Sequence, residues 1–234
     1  MNSKLVAALG SVDWSGNAKL LCDEGDLCSR IENANLILAI WSKQLEQIEA
    51  GNPALSFVRE MQHCGHHVAS LLGLALYKPA AASMRALVEC ALYYSYFRSH
   101  PVELATLVRN PKYYLQRKDI VDFHELHTLD YSSRQACLNL NSGMSKWYSA
   151  TSAIVHGQIP GAWSNGISVT DIVFDKTKVI VAIAHFEEAA QLVNDTFLCV
   201  VAQDIWRYMD HSAKLLITKG LSGAKKVALN LDKA

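Results

Sequence analysis

The chain of 234 residues balances 22 Lys plus Arg against 22 Asp plus Glu, so its formal net charge at pH 7 is zero. Half of its residues are hydrophobic and 19% are charged, against about 25% charged in an ordinary globular domain. That excludes wholesale disorder, and it excludes attraction to nucleic acid or a membrane surface through net charge alone. A surface so poor in charge predicts cover by a second copy or another protein, as a homo-oligomer or a heteromeric complex.

No apolar run reaches the ~18 residues of a membrane-spanning helix. The longest, residues 68–77, is stopped by Lys78 and Pro79, and the N-terminus turns polar too soon for a secretory signal. The expected setting is cytoplasmic, with no membrane association. The six cysteines form no CxxC pair and are expected as small buried thiols in a reducing compartment.

In chain order, glycines 10, 16 and 25 interrupt the first 30 residues and leave room for a short helix. Ile31, Leu36, Ile40, Leu45 and Ile48 predict a helix over 29–49, ended by Gly51. Asn52 and Pro53 open a helix over 53–77, and Lys78-Pro79 breaks it. A helix over 79–98 is apolar on nearly all sides, as a central bundle helix is. Helices are predicted from Pro101, from Pro111 to His127, over about 130–140 and over 144–156, the last ended by Gly157. The β-branched residues of 167–183, interrupted by Asp175-Lys176-Thr177, predict a small β-hairpin, and a closing helix follows over 185–216. The expected architecture is an all-α bundle in one domain, 1–217 with its core about 30–217, and a basic flexible tail over 218–234.

The informative residues are polar ones in apolar places. Arg85 and Glu89 stand four apart on the most apolar helix and share a face. Charge there is costly unless paired, so the two form either a register-fixing ion pair or part of a site. Tyr148, Ser152 and His156 also recur at intervals of four, making one polar stripe that ends at a helix C-terminus. The dipole there favours a protonated imidazole.

The R-x3-E helix followed by Y-x3-S-x3-H-G resembles a bacterial helical family of unknown function, usually placed near the HEPN (higher eukaryotes and prokaryotes nucleotide-binding) and abortive-infection superfamily. The resemblance covers about residues 56–157. It implies an α-helical bundle, often dimeric, and in the catalytic branches metal-independent RNA cleavage tied to toxin–antitoxin systems or phage defence. On that reading His156 is acid or base, Arg85 holds the phosphate, Glu89 orients Arg85, and Ser152 or Tyr148 donates to a phosphate oxygen. No cofactor is implied. Active HEPN ribonucleases carry Arg, four to six residues, then His. Ser149, Ala150 and Thr151 stand where that Arg would precede His156, while Arg117 and His124 have the spacing at another place.

Two further patterns carry chemistry. Arg109, Lys112, Arg117 and Lys118 with Tyr113 and the adjacent Tyr114 make a basic, aromatic stretch of the kind that holds single-stranded RNA. His63 and His67 stand at metal-ligand spacing, with no second ligand pair that would complete a site, so no metal is expected.

Overall fold

The structure, a computed structural model, describes residues 3–164 and 166–231. It is all-α, with no strand among the described residues. Two small helices, α1 (Lys4–Gly10) and α2 (Trp14–Asp23), precede α3 (Leu27–Ile48). Then come α4 (Leu55–Gly73) and α5 (Tyr77–Phe97), which are joined by three residues and pack against each other as a hairpin. The long helix α10 (Lys176–Val200) lies against both α5 and α3 and completes the central bundle. Helix α9 (Leu140–Val155) packs on α5 and α10. One contiguous apolar core runs from Leu21 to Leu231, with Trp41, Tyr94, Phe186 and Phe197 among its fully buried side chains.

The break between α4 and α5 falls at Leu74–Leu76, not at Lys78-Pro79. Ala75 adopts φ 58°, and Leu76 N–H reaches back to Leu71 O at 2.8 Å, closing α4 with a left-handed cap. Pro79 sits in the first turn of α5, where its missing N–H has no helical acceptor to lose. Downstream of α6 (Pro101–Arg109), residues 110–116 form a loop. Helix α7 (Arg117–His127) starts later than Pro111 because Asp119 accepts from Gln116 N–H at 2.8 Å and caps it there. Asn139, at φ 56°, separates α8 (Tyr131–Leu138) from α9, so Gly143 lies within a helix instead of ending one.

The expected hairpin over 167–183 does not form. A single 3₁₀ turn covers Val169–Asp171, and Asp175 then accepts from Lys178 N–H at 3.1 Å to cap α10. Val179, Ala182, Ile183 and Phe186 are buried while Ile180 and Val181 are exposed, which is a period of 3.6 and not 2. The run of β-branched residues hid that period. Likewise the closing helix ends at Val200 and gives way to α11 (Ala202–Ile205), a 3₁₀ turn at Trp206–Tyr208 and α12 (His211–Ile217).

The basic tail docks through residue 231. Ser222 caps α13 (Gly223–Ala228), and Leu229 is fully buried. Gln203 Nε2 donates to Leu229 O at 3.0 Å, and Trp206 Nε1 donates to Leu231 O at 3.1 Å. Leucines at 221, 229 and 231 supply the apolar contacts that lysine-rich composition concealed. Of the cysteines, Cys64, Cys90 and Cys199 are buried, but Cys22 is exposed and Cys28 and Cys137 half-buried.

Candidate functional site

Arg85 and Glu89 lie in the middle of α5, on the side that faces α9. Tyr148 stands in α9, and His156 is its C-cap residue. Gly157, at φ +69°, turns the chain away, and Gln158 N–H closes back on Ala153 O at 2.9 Å. The two helices bring four of the five expected side chains into one hydrogen-bonded cluster. Arg85 Nε donates to Glu89 Oε1 at 3.0 Å, Nη1 donates to His156 Nε2 at 2.9 Å, and Nη2 donates to Tyr148 OH at 2.7 Å. Tyr148 OH in turn donates to Glu89 Oε1 at 2.5 Å. Ser152 is half-buried and its hydroxyl joins none of these bonds.

This bonding assigns donor and acceptor roles. A guanidinium only donates, so His156 Nε2 must offer a lone pair. Burial, and then the bond to Glu89, push the Tyr148 phenol above its ordinary value, so it remains a neutral donor. Arg85 has five N–H groups; three are engaged, which leaves one on each terminal nitrogen.

Arg85, Glu89 and Tyr148 form one wall of a cavity of about 450 Å³. The opposite wall is the end of the 110–116 loop and the start of α7: Tyr114, Leu115, Gln116, Arg117 and Lys118. Tyr93 OH donates to Leu115 O at 3.2 Å and holds that loop on α5. The Arg117 guanidinium lies 5.4 Å from the Tyr148 ring centre and donates to Ser145 Oγ at 3.3 Å. Arg117 and Lys118 occupy the N-terminal turn of α7, where the helix dipole already favours anions. With Glu89 the single carboxylate in the lining, three cations give the cavity a net positive charge.

The expected RNA-binding set therefore divides. Arg117 and Lys118 line the cavity. Arg109 donates to Ala105 O of its own helix at 3.0 Å, Lys112 is exposed outside the lining, and Tyr113 donates to Glu103 at 2.8 Å. Tyr114, 65% exposed, lines the cavity where its neighbour Tyr113 does not, and Tyr93, also in the lining, was missed. Tyr114 stands in a loop, where no periodicity tells one tyrosine from its neighbour. Arg117 and His124 do not meet either. His124 lies two turns further along α7, buried between Ser95 Oγ at 3.0 Å and Thr128 Oγ1 at 2.9 Å.

His63, His66 and His67 are exposed on α4, and no group of three or more His, Cys, Asp or Glu among the described residues is placed to hold a metal. A second polar cluster went unread. Arg98 pairs with Glu49 and with Asp204, while Tyr94 OH donates to Glu49 at 2.7 Å. It joins α3, α5 and α11 and has the features of a structural clamp.

Compared with known proteins, the chain matches no family model, no curated protein and no solved structure. Among the described residues, no helix is long and apolar enough to cross a membrane.

Proposed function

We propose that this is a HEPN-like helical protein that acts on single-stranded RNA at the cavity between α5, α7 and α9, in a toxin- or defence-type system. The observation that carries the reading is a cavity with Arg85, Glu89 and Tyr148 on one wall and Arg117, Lys118 and Tyr114 on the other, with exposed His156 bonded to Arg85 beside it. The three cations suit phosphates, and the tyrosine faces suit unstacked bases. A volume of about 450 Å³ admits a nucleotide unit and not a duplex.

The cleavage step uses groups already in place. A phosphate drawn to Arg85 takes the Nη1 bond from His156 and frees the Nε2 lone pair. Nε2 takes the 2′-hydroxyl proton as O2′ attacks phosphorus. The P–O5′ bond breaks, and the leaving oxygen takes a proton from a solvent water. The hydroxide so formed is neutralised by the imidazolium. The products are a 2′,3′-cyclic phosphate and a 5′-hydroxyl. Arg85 and neutral Tyr148 face the charge that builds on the non-bridging oxygens.

A labelled unstructured RNA oligonucleotide tests the reading. Three phosphate contacts predict a slope of about −2 for log K against log salt, and Lys118→Gln should reduce it by about 0.7. In chelator, His156→Ala should lower the cleavage rate at least ~100-fold, without weakening binding comparably. RNA binding that ignores Arg85→Ala and Lys118→Gln would overturn the proposal.

One observation favours a second reading, a non-catalytic accessory subunit. Arg85 is saturated on three sides by partners from its own chain, as a latch between α5 and α9 would be. RNA binding without cleavage, with a Tm that falls in Arg85→Ala, would select it. In either case the charge-poor surface supports association, and light scattering should give a mass above 25.9 kDa; a clean monomer would remove that part.

A further inference from the structure

Cys22 and Cys28 are unlike the other cysteines. Cys22 is exposed near the C-terminus of α2, Cys28 is half-buried in the first turn of α3, and the loop between the helices passes through Gly25 at φ +49°. That turn sets the two sulfurs 3.3 Å apart, with Cys28 Sγ donating to Cys22 Sγ. A disulfide bond is about 2.05 Å long, so small side-chain rotations on either side of a glycine-containing loop suffice to close it.

We propose that Cys22 and Cys28 are a reversible redox-modification site, which a hydroperoxide converts to an intramolecular disulfide. Cys22, the exposed thiol, reacts first: its sulfur takes the terminal oxygen of the hydroperoxide, the O–O bond breaks and the alcohol leaves (water, for hydrogen peroxide), and Cys22 becomes a sulfenic acid. The Cys28 sulfur then attacks the Cys22 sulfur and the sulfenic hydroxyl leaves as water. In total two thiols and one hydroperoxide give one disulfide, one water and one alcohol, or a second water if the oxidant is hydrogen peroxide. The thiols lose two electrons and the peroxide O–O bond gains them. Burial, then the contact with Cys22, pushes the resting Cys28 thiol up to about 11, so it is a poor nucleophile before the first step. The part of that push owed to Cys22 falls away once Cys22 is oxidised, while the larger part, owed to burial, remains. A thiol reductant reverses the modification.

The bond would act on more than its own loop. Asn17 of α2 accepts from Phe174 N–H at 2.8 Å and donates to Ile172 O at 3.4 Å, holding the segment that enters α10. Tying α2 to α3 anchors that segment to the central bundle.

The sequence supplies a clean assay. Cleavage after Lys19 and Arg30 yields a peptide, residues 20–30, containing both cysteines and no other. Purified full-length protein is treated with hydrogen peroxide, alkylated with iodoacetamide and digested with trypsin. The expected peptide is lighter than the reduced form by about 2 Da, carries no alkyl group, and takes up two after dithiothreitol. Cys28→Ser should instead trap Cys22 as the sulfenic acid, captured by dimedone. Both positions lie at the edge of the bundle, and an unchanged far-ultraviolet spectrum checks that the variant folds. A wild-type peptide that is still doubly alkylated, or that shows Cys22 only as sulfenic or sulfinic acid, overturns the proposal.

Discussion

Arg85 makes its three bonds in three directions, and this is why a shared charge would not substitute for it. A lysine at the same place has no planar fork and cannot hold a carboxylate, a phenol and an imidazole at once. Arg85→Lys is expected to weaken RNA binding about tenfold, a loss of about 1.4 kcal/mol, with the slope against salt unchanged because the charge remains. Tyr148→Phe removes one hydroxyl that both accepts from Arg85 and donates to Glu89. It should cost about 1–2 kcal/mol in urea unfolding and also slow cleavage. A variant with wild-type stability and activity would show that the hydroxyl is a bystander. These residues were legible because each violates its surroundings: two charges on an apolar helix, and a polar stripe on a helix ending at His156. The same logic included Ser152, whose period is right but whose hydroxyl meets no member of the cluster. Periodicity places a residue on a face and does not say which neighbour it touches.

At the scale of elements, the sequence was clear where apolar residues recur every three or four positions, as in α3, α4 and α5. It was opaque where β-branched residues run together. Nothing in the spacing of 179–183 separates a strand from a buried helix; what decides is the cap before it. Asp175 sits between Tyr77, whose OH accepts from Asp175 N–H at 3.0 Å, and Lys178 N–H, which its carboxylate accepts. Asp175→Ala should therefore cost about 1 kcal/mol in urea unfolding and fray the first turn of α10 by hydrogen exchange. Protection at 176–179 equal to wild type would mean that packing of Val179 alone holds the helix start. The opposite wall of the cavity has a similar dependence. Its loop is tied to α5 through Tyr93 OH and Leu115 O and to α6 through Tyr113 OH and Glu103, and no pattern in the sequence announces a bond between a helix and a loop carbonyl.

At the scale of the whole molecule, His124, His185 and Asp195 are shifted by burial so that their protonation couples to folding between about pH 4 and 6.5, and they do not all act in one direction. Burial lowers His124 and His185 to about 4, so both are neutral when folded. His124 faces Ser95 and Thr128, with His100 and Arg98 adding charge against a second cation; His185 faces Thr151, Trp147 and Trp163. On unfolding each takes up a proton wherever the pH lies between about 4 and the ordinary value near 6.5. Their stabilisation is thus complete above about pH 6.5 and is lost as the pH falls toward 4. Asp195 opposes them. Burial raises it to about 6 despite the bond from Gln191, so it is protonated when folded and gives up its proton on unfolding between about 4 and 6. Two protons gained and one released leave a net uptake of about one, which predicts that stability falls by about 1.4 kcal/mol per pH unit from pH 6 to 4. His185→Phe keeps a ring between the two tryptophans and removes one titrating group, so its stability should be nearly flat over that range. Asp195→Asn removes the opposing group and should steepen the fall to about 2.7 kcal/mol per pH unit. Urea unfolding of the three proteins at pH 6, 5 and 4 measures all of this. Parallel slopes in wild type and His185→Phe would mean that acid sensitivity comes from the exposed carboxylates and not from the buried rings.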